Sequence, residues 1–199
     1  MRGILSFSMS NMLQLDYAST HRDIVEKCKE NDRKAQFELY RLYSQAMYNI
    51  CLRMVRHEAD AEDLLQRSFI DVFTKLDTFR YQSSIGAWIK RITINNCINF
   101  LKRNRFFFEE LDPGHATTWQ EGPGELDPQP EHLELINQAI AKLPDGYRVV
   151  FSLYLLEGYD HKEIGEILDI SEATSKSQYS RAKKKLRELI ERGELTSAT

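Results

Sequence analysis

The sequence has few cysteines, no long hydrophobic run and no signal for export. Its three cysteines are far apart in 199 residues and odd in number. We therefore expect neither a disulfide framework nor a paired-cysteine metal site, and a cytoplasmic location is the simplest one. No stretch approaches the roughly 18 consecutive apolar residues that a membrane helix needs, so no membrane segment is expected. The N-terminus lacks a cleavage pattern of small residues and makes a poor signal peptide.

Catalytic and metal-binding motifs are also missing. The sequence contains no serine-hydrolase elbow, phosphate-binding loop, zinc-protease helix or dinucleotide fingerprint. Its five histidines lie apart, and none makes a pair with metal-ligand spacing. Asp60, Glu62 and Asp63 lack the glycine turn and further ligands of a cation loop, so helix capping explains them more simply. We expect no enzyme activity, cofactor or metal; a metal-dependent nuclease remains an alternative, which cleavage lost in Asp63→Ala would support.

What the sequence does contain is an uneven distribution of charge. Its net charge is -3, but residues 1–105 hold 17 Lys and Arg against 12 Asp and Glu, and residues 106–133 hold seven acidic residues and no basic one. Residues 78–108 and 173–187 each carry six basic residues and no carboxylate. Because a polyanion responds to local patches, the near-neutral isoelectric point does not argue against nucleic acid as a partner.

Apolar spacing of three and four residues on both sides of an acidic stretch predicts an all-α protein of two small helical domains. The stretch between them, residues 106–130, loses this periodicity and holds four of the five prolines. Such composition is typical of a flexible linker. The expected order is a poorly ordered tail (1–20), a first helical domain (21–105), the acidic linker (106–130), a second helical domain (131–192) and a C-terminal tail (193–199).

Capping residues predict where the helices begin and end. The predicted helices of the first domain are 32–56, 61–76 with Asp60 as N-cap, and 85–104 with Ser84 as N-cap. Those of the second domain are 131–143, 145–157 ended by Gly158, 161–168 capped by Asp160, and a last helix capped by Ser171 that ends near residue 191.

Residues 160–189 have the sequence form of a helix-turn-helix, because two short helices are joined by a tight turn and the second is basic. In such a motif the second helix enters the major groove and its first turns reach base edges. Small side chains there let the backbone approach, and polar or basic ones supply donors for bases and phosphates. The alternative is a surface helix with a solvated charged face. The predicted duplex contacts are Ser171, Ala173, Thr174, Lys176, Ser177, Gln178, Ser180, Arg181 and Lys184.

Aromatic and basic residues mix where the polar loop 77–84 meets the next predicted helix. Aromatic rings stack on unpaired bases while Lys and Arg hold phosphates, and such a loop could frame a pocket for an extruded base. Core packing is the favoured alternative for Trp88, which shares helical spacing with Ile85 and Ile92, and is as good an explanation for Phe79. The predicted single-strand contacts are Phe79, Arg80, Tyr81, Gln82, Ser83, Trp88, Lys90, Arg91 and Asn95.

Three segments together resemble a known family. AEDLLQRSFIDVF, then LDTFRYQSSIGAWIKRI, an acidic linker, and LPDGYRVVFSLYLLEGYDHKEIGEILDISEATSKSQYSRAKKKLREL are similar to an extracytoplasmic-function (group IV) sigma factor of bacterial RNA polymerase, in the sigma-70 family. The resemblance covers about residues 36–189. It implies sigma regions two and four, and a role in promoter recognition and transcription initiation. A helix-turn-helix regulator that acts without polymerase is the alternative.

The resemblance also implies partners and residue roles. Loop 77–84 would melt the minus-ten element and capture a flipped base, and the helix from Ser171 would read the minus-thirty-five element. The implied partners are core RNA polymerase, through its β′ clamp coiled coil and β flap, promoter DNA, and an anti-sigma factor that is often membrane-bound. The implied polymerase contacts are Asp60, Glu62, Asp63, Gln66, Arg67, Phe69, Ile70 and Phe73.

Four residues depart from the family's usual pattern. Arg67 stands where an acidic residue is common, and Gln178 replaces a frequent basic residue. Ser175 and Tyr179 occupy positions often filled by aliphatic side chains on the buried side of the recognition helix. The promoter sequence therefore cannot be copied from relatives.

Overall fold

The computed structural model describes residues 21–103 and 138–191, and within these two ranges all regular structure is helical. The chain divides after Asn99 into two compact units. An all-α fold is confirmed. The predicted linker 106–130, both predicted tails and the start of predicted helix 131–143 lie outside the described residues.

The described residues 21–103 contain four helices. They are α1 (Arg22–Lys29), α2 (Arg33–Val55), α3 (Glu58–Lys75) and α4 (Ile85–Arg103), and a short 3-10 turn (Leu76–Thr78) follows α3. Asp32 caps α2, since its carboxylate accepts from the backbone N–H groups of Lys34 and Ala35. As predicted, Ser84 caps α4, because its Oγ accepts from the Ala87 N–H at 3.2 Å.

The start of α3 differs from the prediction. Arg56 ends α2 in the left-handed region, at φ 64°, and α3 begins at Glu58 with His57 as its N-cap residue. Asp60 therefore is not the cap but lies inside the first helical turn, with Oδ2 3.6 Å from Nδ1 of His57. A carboxylate there still complements the positive end of the helix dipole. The prediction was wrong because one acidic residue near a helix start satisfies either role.

Helix α4 contacts both α2 and α3. A Cβ on Gly86 would lie 2.8 Å from Cε1 of Tyr43 on α2, so glycine permits this approach. Between α4 and α3, Nδ2 of Asn96 donates to Oδ2 of Asp71 at 2.9 Å and to Oγ of Ser68 at 3.3 Å. Helix α4 therefore packs closely against α2 and is hydrogen-bonded to α3.

In the second unit, the described residues begin with a helical segment at 138–141. The helices described after it are α5 (Asp145–Phe151), which widens into a π turn (Ser152–Leu156), then α6 (His161–Leu168) and α7 (Glu172–Glu191). The predicted helix 145–157 is thus not regular to its end. Gly158 stops it at φ 80°, a conformation that suits glycine.

Two predicted caps and one unpredicted buried charge define this unit. Asp160 and Glu163 form a reciprocal capping box at the start of α6. Ser171 caps α7, since its Oγ accepts from the Thr174 N–H at 2.9 Å. Arg148 is buried, and its Nη1 donates to the Leu143 carbonyl at 3.2 Å and to Oδ1 of Asp145 at 2.6 Å. The apolar core around α7 consists of Ala139, Ile140, Leu143, Phe151, Ala182 and Leu186.

Candidate nucleic-acid interfaces

The turn between α6 and α7 has the tight geometry of a helix-turn-helix. Asp169 ends α6 in the left-handed region, at φ 61°. The Ile170 N–H then donates to the Gly165 carbonyl at 3.0 Å. A Cβ on Gly165 would lie 2.8 Å from the Ile170 carbonyl oxygen. The absence of a side chain at this position lets the turn fold back onto α6, which fixes the direction in which α7 leaves it.

Most predicted duplex contacts lie on accessible parts of α7 or at its cap. Ser171, Ala173, Lys176 and Lys184 are exposed, and Thr174, Ser177, Ser180 and Arg181 are half-buried. These eight positions stay candidates for contact with DNA.

Gln178 is the exception. It is only 2% exposed, and its Oε1 is a buried oxygen without a hydrogen-bond partner among the described residues. It belongs to the buried stripe of α7 with Ser175, Ala182 and Leu186, which recur at spacings of three and four residues. Gln178 therefore faces the core of the unit, and its prediction as a DNA contact is corrected. The helical spacing indicates a buried position for Gln178, whereas its polar side chain favours an exposed one.

Lys176 does not stand alone at the start of α7. Its Nζ lies 2.6 Å from Oε1 of Glu172, one helical turn earlier, and both side chains are exposed. The hydrogen bond and the charge of Lys176 lower the pKa of Glu172, and the same pair raises the pKa of Lys176. A DNA contact by Lys176 would therefore exchange this surface pair for a phosphate or a base.

An aromatic cluster ties the start of α6 to α7. The His161 ring stacks on Tyr154 with centroids 4.2 Å apart, and Tyr179 lies 4.5 Å from Tyr154. Nδ1 of His161 is 2.9 Å from Oγ of Ser175. Burial, and then the positive charge of Lys176, lower the pKa of His161. Ser175 and Tyr179 thus face the interior of the unit, as the resemblance implied. Sequence reasoning missed His161, because its partners come from two other elements, the π turn and α7.

The loop between α3 and α4, together with α4 itself, holds both accessible and buried single-strand candidates. Arg80, Gln82, Ser83, Arg91 and Asn95 are exposed, and Tyr81, Trp88 and Lys90 are half-buried.

Phe79 is only 4% exposed, so it presents no free ring face to a base in this structure. Its N–H donates to the Leu76 carbonyl at 3.0 Å, which closes the 3-10 turn. Its ring lies 5.4 Å from Trp88 and 4.8 Å from Tyr81, measured between centroids. The sequence allows Phe79 to be either a contact for an unpaired base or a core residue, and the structure supports core packing. Trp88 lies at the edge of the same cluster.

Tyr81 is held by α1, which sequence reasoning did not include in any site. Its hydroxyl donates to Oε1 of Glu26, and Nζ of Lys29 donates to the same hydroxyl at 3.3 Å. Nζ of Lys29 and Cζ of Arg22 lie 4.6 and 4.8 Å from the ring centroid. Glu26 and Tyr81 are 55 residues apart. No local sequence pattern reports such a contact.

The predicted polymerase surface on α3 is largely accessible. Glu62, Asp63, Gln66, Arg67 and Ile70 are exposed, and Asp60 and Phe73 are half-buried. Ile70 is an apolar side chain with 65% exposure.

Phe69 is buried, at 3% exposure, and packs edge-on against Tyr40 of α2 with centroids 4.7 Å apart. It continues the buried stripe of Ala61, Leu65 and Val72. Its prediction as a polymerase contact is therefore corrected to core packing.

Two further properties concern residues 21–103 and 138–191. No group of three or more His, Cys, Asp or Glu side chains in these ranges is arranged to hold a metal ion, so the nuclease alternative gains no support there. No helix in the same ranges is long and apolar enough to cross a membrane.

Family models match both units. The model of sigma-70 region 2 matches residues 39–107, and the model of sigma-70 region 4 matches residues 133–186. The chain is 29% identical over 156 residues to the ECF RNA polymerase sigma factor SigM of Bacillus subtilis, covering 78% of this chain and 95% of SigM. The chain belongs to the extracytoplasmic-function group of the sigma-70 family. This sigma factor is also 28% identical over 176 residues to SigW of the same organism, covering 83% of this chain and 94% of SigW.

Solved structures agree on the fold of this sigma factor. CnrH, in complex with the cytosolic domain of CnrY, matches with a TM-score of 0.50 at 22% identity, covering 85% of this chain and 96% of CnrH. The sigma factor RpoE of Bartonella quintana, in complex with the anti-sigma factor NepR, also has a TM-score of 0.50, at 21% identity, covering 77% of this chain and 95% of RpoE.

Proposed function

We propose that this sigma factor directs core RNA polymerase to promoters and has no catalytic chemistry of its own. The observation that carries the proposal is the occurrence of both sigma regions in order, the second of them a helix-turn-helix with a basic, accessible α7. The division of labour follows from the chemistry of the two units. Basic helix contacts suit duplex DNA, and aromatic and polar loop contacts suit single strands.

The minus-thirty-five element would be read by α7. Exposed small residues at its start, Ser171 and Ala173, permit close approach to the bases. Lys176 and Arg181 supply donors, and Lys184 extends the positive charge along the backbone. Gln178 takes no part in this reading because it faces the core.

The minus-ten element would be opened by loop 79–84 and α4. Gln82 and Ser83 are exposed at the tip of the loop, and Asn95 is exposed on α4. These three side chains offer hydrogen bonds to an unpaired base, while Arg80 and Arg91 offer charge to phosphates. The half-buried rings of Tyr81 and Trp88 pack against buried Phe79, which would support the loop.

Core polymerase would be bound mainly through α3. Exposed apolar Ile70 lies on the same helix as exposed Glu62, Gln66 and Arg67, a mixture that suits a helix of the β′ clamp coiled coil. Half-buried Phe73 extends this surface. The second unit would contact the β flap, and the acidic residues 106–130 would lie near the polymerase cleft and yield to RNA.

We further propose a cytoplasmic location and control by an anti-sigma factor. The RpoE structure holds the anti-sigma factor NepR, and that precedent supports a similar partner here. Such a partner would mask DNA- and polymerase-binding surfaces until a signal releases them.

Run-off transcription with core polymerase on a library of genomic fragments tests the function. We expect transcripts from a small set of fragments that share two upstream elements, and none without the sigma factor. Absence of transcripts and of any association with core enzyme, in protein freed of inhibitory partners, would contradict the proposal.

A gel shift separates this function from that of a regulator that works alone. A polymerase-independent regulator would bind a palindromic site as a dimer without core enzyme. We expect tight promoter binding only when core enzyme is present.

A further inference from the structure

The contact of Tyr81 with α1 has a bearing on how the promoter is opened. Tyr81 lies in the loop proposed to capture an unpaired base, whereas Arg22, Glu26 and Lys29 lie on a helix outside every predicted contact surface. The backbone of Tyr81 is in the left-handed region, at φ 57°. A bulky residue keeps that conformation only where surrounding contacts enforce it.

Contacts with three residues of α1 hold the Tyr81 side chain. The hydroxyl of Tyr81 is bonded to Glu26 and Lys29, and the cations of Lys29 and Arg22 lie against its ring. Lys29 is itself bonded to Glu26, 3.3 Å away, so the two α1 side chains hold each other in place for the hydroxyl. On the loop side, the Tyr81 ring leans on buried Phe79, with centroids 4.8 Å apart.

The electrostatics of Glu26 and Tyr81 are mutually consistent. The hydrogen bond from Tyr81, and then that from Lys29, lower the pKa of Glu26, so this carboxylate is charged at neutral pH. Burial and the Glu26 contact raise the pKa of Tyr81, so its hydroxyl keeps the proton that it donates. The bond therefore joins a charged acceptor to a neutral donor, which is stronger than a neutral pair.

We propose that α1 is a positioning element for strand opening: Glu26 and Lys29 fix Tyr81, and Tyr81 holds loop 79–84 in the shape that receives the unpaired base. This inference rests on the proposed role of the loop and adds residues that do not touch DNA themselves. A loop that is already ordered loses less conformational entropy when it binds the opened strand.

The test compares single variants in holoenzyme on one promoter found by the run-off screen. Glu26→Ala removes the acceptor, Tyr81→Phe removes the hydroxyl but keeps the ring, and Glu26→Gln keeps an acceptor oxygen. Glu30→Ala is the matched control, since it removes the same charge from an exposed residue at the end of α1. Opening is followed by permanganate reactivity of unpaired thymines, and upstream binding by gel shift with a duplex that carries only the minus-thirty-five element.

We expect Glu26→Ala and Tyr81→Phe each to reduce opening about two- to fivefold, in the range of one net hydrogen bond. The double variant should lose no more than either single variant, because both remove the same bond. Glu26→Gln should retain most of the opening, and upstream binding should be unchanged in all variants.

Three results would overturn the inference. The first is that Glu26→Ala opens the promoter as well as Glu30→Ala does, and the second is that the losses of the two single variants add in the double variant. The third is that a variant loses upstream binding by the same factor as it loses opening. If the unchanged sigma factor opens no promoter with core enzyme, the proposed function itself fails. If the unchanged protein opens the promoter and the variants open it equally well, only the inference about α1 fails.

Discussion

Gly165 shows how one missing side chain positions the second helix of the helix-turn-helix. The atom that a Cβ would meet is the backbone oxygen of Ile170, which cannot rotate away as the end of a flexible side chain could. The polarity of a side chain predicts its exposure less well. On α7, polar Gln178 is buried whereas Lys176 is exposed.

Gly165→Ala is expected to destabilise the second unit. Alanine gains about 1 kcal/mol of helix propensity over glycine, but overpacking costs about 1–3 kcal/mol. Because the contact is with a backbone atom, we expect the upper half of that overpacking range and a net loss of about 1–2 kcal/mol, measured by urea unfolding, together with weaker promoter binding. Glu166→Ala, at the exposed neighbour, is the control and should change stability little; equal stability of Gly165→Ala and wild type would refute the tight turn.

His161 makes the stability of the second unit dependent on pH. Its pKa is lowered in the folded state, so the unfolded chain, with a value near 6.5, binds the proton more readily. Its contribution is therefore complete above about pH 6.5 and is lost as the pH falls toward the folded pKa. We expect the free energy of unfolding to decrease from pH 7.5 to pH 5.5.

His161→Gln, which does not titrate, should flatten this decrease. The carboxyl groups of Glu26 and Glu172, whose pKa values are lowered from 4.5, lose their contributions only at more acidic pH. They therefore do not affect the change in stability between pH 7.5 and pH 5.5 that is assigned to His161. An unaltered slope in His161→Gln would show that another group is responsible.

Helices α3 and α7 illustrate what periodicity predicts and what it hides. On both helices the buried stripe follows the spacing expected of an amphipathic helix, and Phe69 and Gln178 belong to those stripes. The sequence-based prediction places both residues on binding surfaces because it follows their residue type and not their position in the helical repeat. Where α3 begins was also missed, since Asp60 suits either the cap or the first turn.

Two adjacent asparagines on α4 allow stability and function to be separated. Asn96 bonds to α3, whereas Asn95 is exposed. We expect Asn96→Ala to lower the free energy of unfolding by about 1–2 kcal/mol, because it leaves polar partners on α3 without a donor.

Asn95→Ala should change stability by less than about 0.5 kcal/mol, as exposed substitutions usually do. It should nevertheless reduce promoter opening, measured by permanganate reactivity of unpaired thymines. If Asn95→Ala opens the promoter as wild type does, its proposed base contact is wrong, and the role of Asn96 is unaffected.

The 199 residues together combine a small negative net charge with two strongly basic stretches. Promoter binding by holoenzyme should therefore weaken steeply as salt rises, because each neutralised phosphate releases counterions and adds about -0.9 to the slope of log K against log salt. Removing one phosphate contact, for example in Lys184→Ala, should reduce the steepness by about one such step. Gel shifts across a salt series measure both values, and an unchanged slope would remove Lys184 from the DNA surface.

The sequence alone determined the helical class, the helix-turn-helix and the family, because periodicity, capping residues and ordered motifs are local properties of the chain. The tertiary structure decided which side chains of those elements remain accessible. Phe79, Phe69 and Gln178 are buried by neighbouring elements, and Tyr81 is held by a helix that precedes it by more than 50 residues. Such contacts depend on how distant segments pack together, and no local pattern of residues records them.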